Sequence, residues 1–209
     1  MQEREDGTRN GPGFSRREFL RGSGAAMAAS AMATSGTVAE AAPKGVAARI
    51  VSADPTEVTL NVNGHDHTVL VEPRVTLLEV LRDDLNLTGA KEADDTTSTG
   101  CDTVIIDGKP VLAGSRLAIE CVGQKIRTVE SLRQGNQADE VLTGFVKHDA
   151  MQCGFCTPGF VMATRAFLDK HPKATLEEIR KGLGGNLCRC GTYDGITQCA
   201  LEIASKGGA

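Results

Sequence analysis

Two short motifs carry the chemistry of this sequence. Cys153-Gly154-Phe155-Cys156 and Cys188-Arg189-Cys190 place four thiols in two groups, C-x2-C and C-x-C, with thirty-one residues between them. Four thiolates brought together by two loops can hold a [2Fe-2S] cluster, with backbone N–H groups and helix N-termini offsetting the negative charge of thiolates and bridging sulfides. Gly154, Gly191 and Pro158 give loops tight enough to wrap such a cluster. Iron is favoured over zinc, because structural zinc sites prefer about two to four residues between paired cysteines. Zinc, disulfides and spectator thiols are the alternatives that spacing leaves open.

Each motif stands in a turn just before a predicted helix, in the half of the chain from 138 to 209 where the apolar period is helical. Val141, Leu142, Phe145 and Val146 space as one helix face. A second runs through Phe160, Val161, Ala163, Ala166, Phe167 and Leu168 and ends before His171-Pro172. Thr175-Leu176-Glu177-Glu178 is a capping box that opens a third, from Ile179 to Leu183, stopped by Gly184-Gly185. A fourth spans Ile196 to Ile203, and four short helices of this kind make a compact bundle.

The half from 46 to 132 has a strand period. Val58 to Val62 alternates, Asn63-Gly64 tolerates positive φ in a tight hairpin, and His67 to Val71 returns. Thr76 then caps a helix with Glu79 in a capping box; Leu77, Leu78, Val80, Leu81 and Leu85 supply its apolar face, and it ends near Thr88-Gly89. Val104 to Val111 reads as a second hairpin and Ile126 to Val129 as a last short strand. Hairpin, helix, long loop, hairpin is the order of a small β-grasp domain, so the expected class is α+β: a β-grasp domain followed by a four-helix domain. Residues 135 to 138 read as the linker between them.

Composition removes other classes. With 209 residues, 40% hydrophobic and 24% charged, the chain is neither mainly disordered nor fibrous. A net charge of -4 without a basic stripe gives no nucleic-acid footprint. Seven cysteines is an odd number, which forbids a closed set of intrachain disulfides. No Ser-His-Asp set, phosphate loop or paired carboxylates are visible; His65, His67, His148 and His171 are scattered, and His65 and His67, flanking a hairpin turn, read as surface residues. The chain alone is expected to catalyse nothing.

Residues 1 to 41 read as an address. Ser15-Arg16-Arg17-Glu18-Phe19-Leu20-Arg21, a run of Gly, Ala, Ser, Met and Thr, and the small-x-small Ala39-Glu40-Ala41 resemble a twin-arginine export peptide, with a mature chain starting near Ala42 in the periplasm. The run is too polar and too short for a membrane span, which needs about 20 apolar residues. Export of folded chains suits a protein whose metal centre is inserted in the reducing cytoplasm.

The segments Asp149-Ala150-Met151-Gln152-Cys153-Gly154-Phe155-Cys156-Thr157-Pro158-Gly159 and Gly185-Asn186-Leu187-Cys188-Arg189-Cys190-Gly191-Thr192-Tyr193 resemble the signature of the iron-sulfur subunit of molybdenum hydroxylases, the xanthine dehydrogenase and aldehyde oxidoreductase family. With the export peptide, the chain is similar to the small subunits of periplasmic aldehyde oxidoreductases. The resemblance implies that Cys153, Cys156, Cys188 and Cys190 ligate one [2Fe-2S] cluster in the helical domain. It implies too that Gln152, Gly154 and Cys190 lie against a molybdopterin cofactor held by a large catalytic subunit. That subunit would hydroxylate an aldehyde or N-heterocycle, and electrons would leave through this chain to a flavin subunit or a cytochrome. A scaffold subunit with a structural cluster is the second reading.

The same family places a second, plant-type cluster in the β-grasp domain, and here the sequence departs from it. Ungapped alignment puts Asp94, Thr99 and Asp102 where three cysteines belong and Gly114 where the fourth belongs; sliding by one residue rescues only Cys101. The resemblance therefore implies a β-grasp domain that folds without its cluster. Cys101, Cys121 and Cys199 remain as spectators, Cys199 as a small buried hydrophobe and the other two available for a disulfide staple.

Overall fold

The computed structural model describes residues 51–207, so the export segment lies outside the described residues. Two cores and one shared strand organise them. Strand β1 (Thr56–Val62) turns through Asn63 and Gly64, φ 53° and 83°, into β2 (His65–Val71). Both central residues are left-handed, as a tight hairpin matching the strand twist requires. A second hairpin, β3 (Thr103–Ile106) and β4 (Lys109–Leu112), turns the same way through Asp107 and Gly108. Strand β5 (Lys125–Arg127) runs parallel to β1 and antiparallel to β3, giving a mixed sheet of order β2-β1-β5-β3-β4.

The helix across this sheet starts as the sequence predicts. Thr76 Oγ1 accepts from the Glu79 N–H (3.2 Å) and Glu79 Oε2 accepts from the Thr76 N–H (2.6 Å), a complete capping box for α1 (Leu77–Glu79). Its continuation, Val80–Asp84, is a wider π-type turn closed by the Leu85 N–H on Val80 O (3.0 Å). Leu77, Leu78, Val80 and Leu81 are buried, and with Leu60, Val62, Val104 and Ile126 they form the first core.

Residues 135–138 are not a plain linker. Gln137–Ala138 (β7) pairs with Arg133–Gln134 (β6) around Gly135 and Asn136, a two-residue hairpin whose left-handed Gly135 has φ 57°. The expected four helices follow: α2 (Glu140–Lys147), α3 (Thr157–Lys170), α4 (Leu176–Gly182) and α5 (Tyr193–Ser205). Asp139 caps α2 and a second complete capping box, Thr175 with Glu178, caps α4. Phe145, Phe160, Met162, Leu168, Ile179 and Ile196 are the largest side chains of the second core.

Strand β3 is the wall between the cores. All four of its residues are buried, because successive side chains point to opposite faces. Val104 and Ile106 enter the first core; Ile105, with Cys101 before it, enters the second beside α3. Among the described residues no helix is long and apolar enough to cross a membrane.

Candidate metal centre

The two cysteine loops leave and enter helices at one end of the second core. Helix α2 ends at His148, and Asp149, left-handed at φ 52°, redirects the chain into the first loop. Cys156 sits at the N-cap of α3, followed by Pro158 in its first turn, where a missing N–H costs nothing. Gly154 and Gly191, φ 81° and 82°, have no atom that a Cβ would strike, so it is the left-handed backbone that calls for glycine there.

Those turns aim backbone N–H groups at sulfur. Cys153 is drawn below the ordinary thiol value by the Phe155 N–H, and next by the thiol of Cys190. For Cys188, burial works against the thiolate, but the Thr192 hydroxyl and the N–H groups of Thr192 and Gly191 outweigh it and bring the thiol to about 7. Its neighbour Cys156 is pushed up to about 12 by burial and by Cys188. Cys190 is likewise raised: the Cys153 N–H favours its thiolate, and the adjacent Cys153 sulfur, burial and Cys188 prevail.

Across the two loops Cys190 acts on Cys153 and Cys188 on Cys156, the first two exposed and the last two buried. Among the described residues no three potential ligands gather on one point as a single zinc would require. Two dithiol pairs are a donor set for two irons, and positive metal charge is what lets all four ionise together.

Cys153, Cys156 and Cys188 line one cavity of about 480 Å³ with Thr99, Cys101, Phe155, Leu187, Arg189 and Tyr193. The chain's single tyrosine braces it: the Cys188 N–H donates to the Tyr193 hydroxyl (2.8 Å), and the Tyr193 ring meets Phe160 edge-on at 6.0 Å. The loop before β3 closes the other side. Asn186 Nδ2 donates to Gly100 O (2.8 Å), and the Leu187 N–H donates to Thr99 O (2.9 Å). Gly159 at the start of α3 lets Gly100 and Cys101 approach; a Cβ there would come within 2.9 Å of Cys101 Cα.

Gln152 is an exposed side chain next to Cys153 in sequence; Cys190 is exposed too, and Gly154 is half-buried. Met151, Phe155, Leu187 and Tyr193 are exposed apolar side chains of the two cysteine segments. Sequence reasoning missed Asn186, Thr192 and Tyr193 as parts of the site, although all three lie inside the second signature segment.

The four positions where the plant-type ligands would belong are paired with each other. Thr99 Oγ1 donates to Asp94 Oδ2 (2.6 Å), and the Gly114 N–H donates to Asp102 Oδ2 (2.8 Å). Asp94 also accepts from the hydroxyls of Thr96 (2.6 Å) and Ser98 (3.2 Å) and from the N–H groups of Thr96, Ser98 and Thr99. These bonds, the Thr96 hydroxyl first, hold its carboxyl well below the usual carboxylate range. Burial instead raises Asp102, which is 2% exposed. Buried Thr97 presses its methyl against Gly114 at φ 54°, a costly backbone for a β-branched residue. All seven cysteines are free thiols, so no Cys101–Cys121 staple forms; Cys101 belongs to the second core and Cys121 to the first. Cys199 packs against Gly144 inside the helical core.

Residues 128–201 match the [2Fe-2S] binding domain family. The chain is 39% identical to the nicotine 6-hydroxylase small subunit of Paenarthrobacter nicotinovorans over 74% of its own length and 93% of that protein's. It is 32% identical to the aldehyde oxidoreductase iron-sulfur-binding subunit of Escherichia coli over 92% and 89%. A chain of quinoline 2-oxidoreductase from Pseudomonas putida 86 superposes with a TM-score of 0.69 at 34% identity, over 75% of this chain and 99% of that one.

Proposed function

The chain belongs to the iron-sulfur electron-transfer subunits of the molybdenum hydroxylases, and from that premise we propose that it holds a single [2Fe-2S] cluster on Cys153, Cys156, Cys188 and Cys190. It takes electrons from a molybdopterin in a large subunit and passes them to an external acceptor. The observation that carries this reading is that the two cysteine loops meet at one cavity lined by Cys153, Cys156 and Cys188, with Cys190 beside Cys153. When bound, the cluster supplies reversible one-electron storage.

The rest is work done by this chain. The buried pair, Cys156 and Cys188, shares its cavity with Cys101, Thr99 and Tyr193. The exposed pair faces outward with Gln152 and Gly154, and this is the side offered to the pterin. Exposed Met151, Phe155 and Leu187 give a large subunit an apolar surface to cover.

The β-grasp domain carries no second cluster in this reading. Carboxylate and hydroxyl bonds around Asp94 and Asp102 do the cross-linking that metal does elsewhere. The acceptor, a flavin subunit or a cytochrome, must then draw electrons from the helical-domain cluster itself. Arg16-Arg17 and Ala39-Glu40-Ala41 support export of the folded chain to the periplasm. Cell fractionation tests that point: the shortened chain belongs in the periplasmic fraction, and exchange of both arginines for lysine retains it in the cytoplasm.

Freeze-quenched EPR of the assembled enzyme tests the relay. Addition of an aldehyde or N-heterocycle substrate is expected to raise the reduced-cluster signal, and addition of acceptor to erase it. A cluster whose oxidation state stays fixed through turnover would make the subunit a scaffold.

A further inference from the structure

Thr192 is the N-cap residue of α5, a position where a threonine hydroxyl ordinarily accepts a bond from the helix's own first-turn N–H groups. Here it does not cap: no side-chain capping bond is made. Thr192 Oγ1 lies instead 3.3 Å from Cys188 Sγ, the one hydrogen bond its hydroxyl makes among the described residues. The Thr192 side chain is half-buried, and the sulfur it meets is buried. A helix start has given up a cap to place a donor on a ligand sulfur.

We infer that the Thr192 hydroxyl sets the reduction potential of the cluster by donating to the Cys188 sulfur. The inference rests on the ligand assignment proposed above. Either atom can donate between a thiol and a hydroxyl, but a metal-bound Cys188 has no proton, so the hydroxyl must be the donor. Reduction adds one negative charge to the cluster. An O–H dipole with its positive end on a ligand sulfur stabilises the reduced form more than the oxidised one, and so raises the potential. Thr192 positions no substrate; it acts through Cys188.

The experiment is a redox titration followed by EPR on the assembled enzyme, comparing Thr192→Val, Thr192→Ser and the parent. The valine variant keeps the shape and loses the donor, so its midpoint is expected to move to lower potential. The serine variant keeps the donor and is expected to titrate with the parent. Thr192→Ala carries the same comparison if valine disturbs the loop. An unchanged midpoint in a fully loaded valine or alanine variant would overturn the inference. So would loss of iron from both while serine loads normally, since the hydroxyl would then be holding the loop. Absence of a [2Fe-2S] signal from the parent itself is a different result, and it removes the ligand assignment.

Discussion

Asp94 and Thr99 are joined side chain to side chain, the Thr99 hydroxyl donating to the Asp94 carboxylate at 2.6 Å. In the proposed reading both positions fall where a plant-type cluster would have ligands, and the loop closes instead around an acceptor-rich carboxylate. The shape is needed because the same loop presents Gly100 O to Asn186 and Cys101 to the metal cavity.

Asp94→Ala is expected to open this loop, raising its amide exchange and its susceptibility to proteolysis while β1 and β2 stay protected. The pH dependence has a definite sign. A carboxyl held below its ordinary value contributes stability above the unfolded value of about 3.9 and loses it as the pH falls below that. Protection of residues 96–99 should therefore weaken on acidification below about pH 4 in the parent and be weak throughout in the alanine variant.

Asp102 has the opposite sign. Burial raises its carboxyl, so the charged form is disfavoured in the fold and stability is lost as the pH rises through the folded value. Asp102→Asn keeps an acceptor for the Gly114 N–H and removes the charge; thermal unfolding at pH 7 should be unchanged or shifted upward. Asp102→Ala leaves that N–H without its partner and should cost about 1–3 kcal/mol.

Gly159→Ala tests the seam between the halves. The added Cβ meets backbone, Gly100 O and Cys101 Cα, which cannot swing away. Overpacking of this kind costs about 1–3 kcal/mol, and chemical denaturation is expected to show at least that much. Gly154→Ala meets no neighbour and should cost only the left-handed backbone, about 1–2 kcal/mol.

Much of this was legible locally. Asn63-Gly64, Thr76 with Glu79, Thr175 with Glu178 and the two cysteine motifs act within a few residues, so sequence reading places them well. What was not legible depends on distance along the chain. Nothing near Asn186 says that its amide will reach Gly100, and a strand read as one side of a hairpin gives no sign that Ile105 faces a second core. Thr192 was hidden for another reason: the apolar period places the start of the last helix at Ile196, so nothing in the sequence marks Thr192 as the N-cap it is. The short β6–β7 hairpin was read as a linker because two-residue strands carry too little pattern to show.

Glu202 gathers Lys147 (2.7 Å), Lys206 (2.6 Å) and His148, tying α2 to α5 behind the cysteine loops. The Lys147 ammonium first, then Lys206 and His148, bring its carboxyl down to about 2. Stability from this cluster is present above the unfolded glutamate value of about 4.3 and is lost as the pH falls toward 2. Melting temperature measured from pH 6 to pH 2.5 should fall more steeply in the parent than in Glu202→Gln.

The number of clusters is the most direct test. Iron and acid-labile sulfide assayed on the assembled enzyme, with EPR of the dithionite-reduced sample, should give two irons, two sulfides and one [2Fe-2S] signal per chain. Alanine at Cys156 or Cys188 should abolish all three. Four irons and two distinguishable signals would contradict the account, placing a cluster where Asp94, Thr99, Asp102 and Gly114 hold one another.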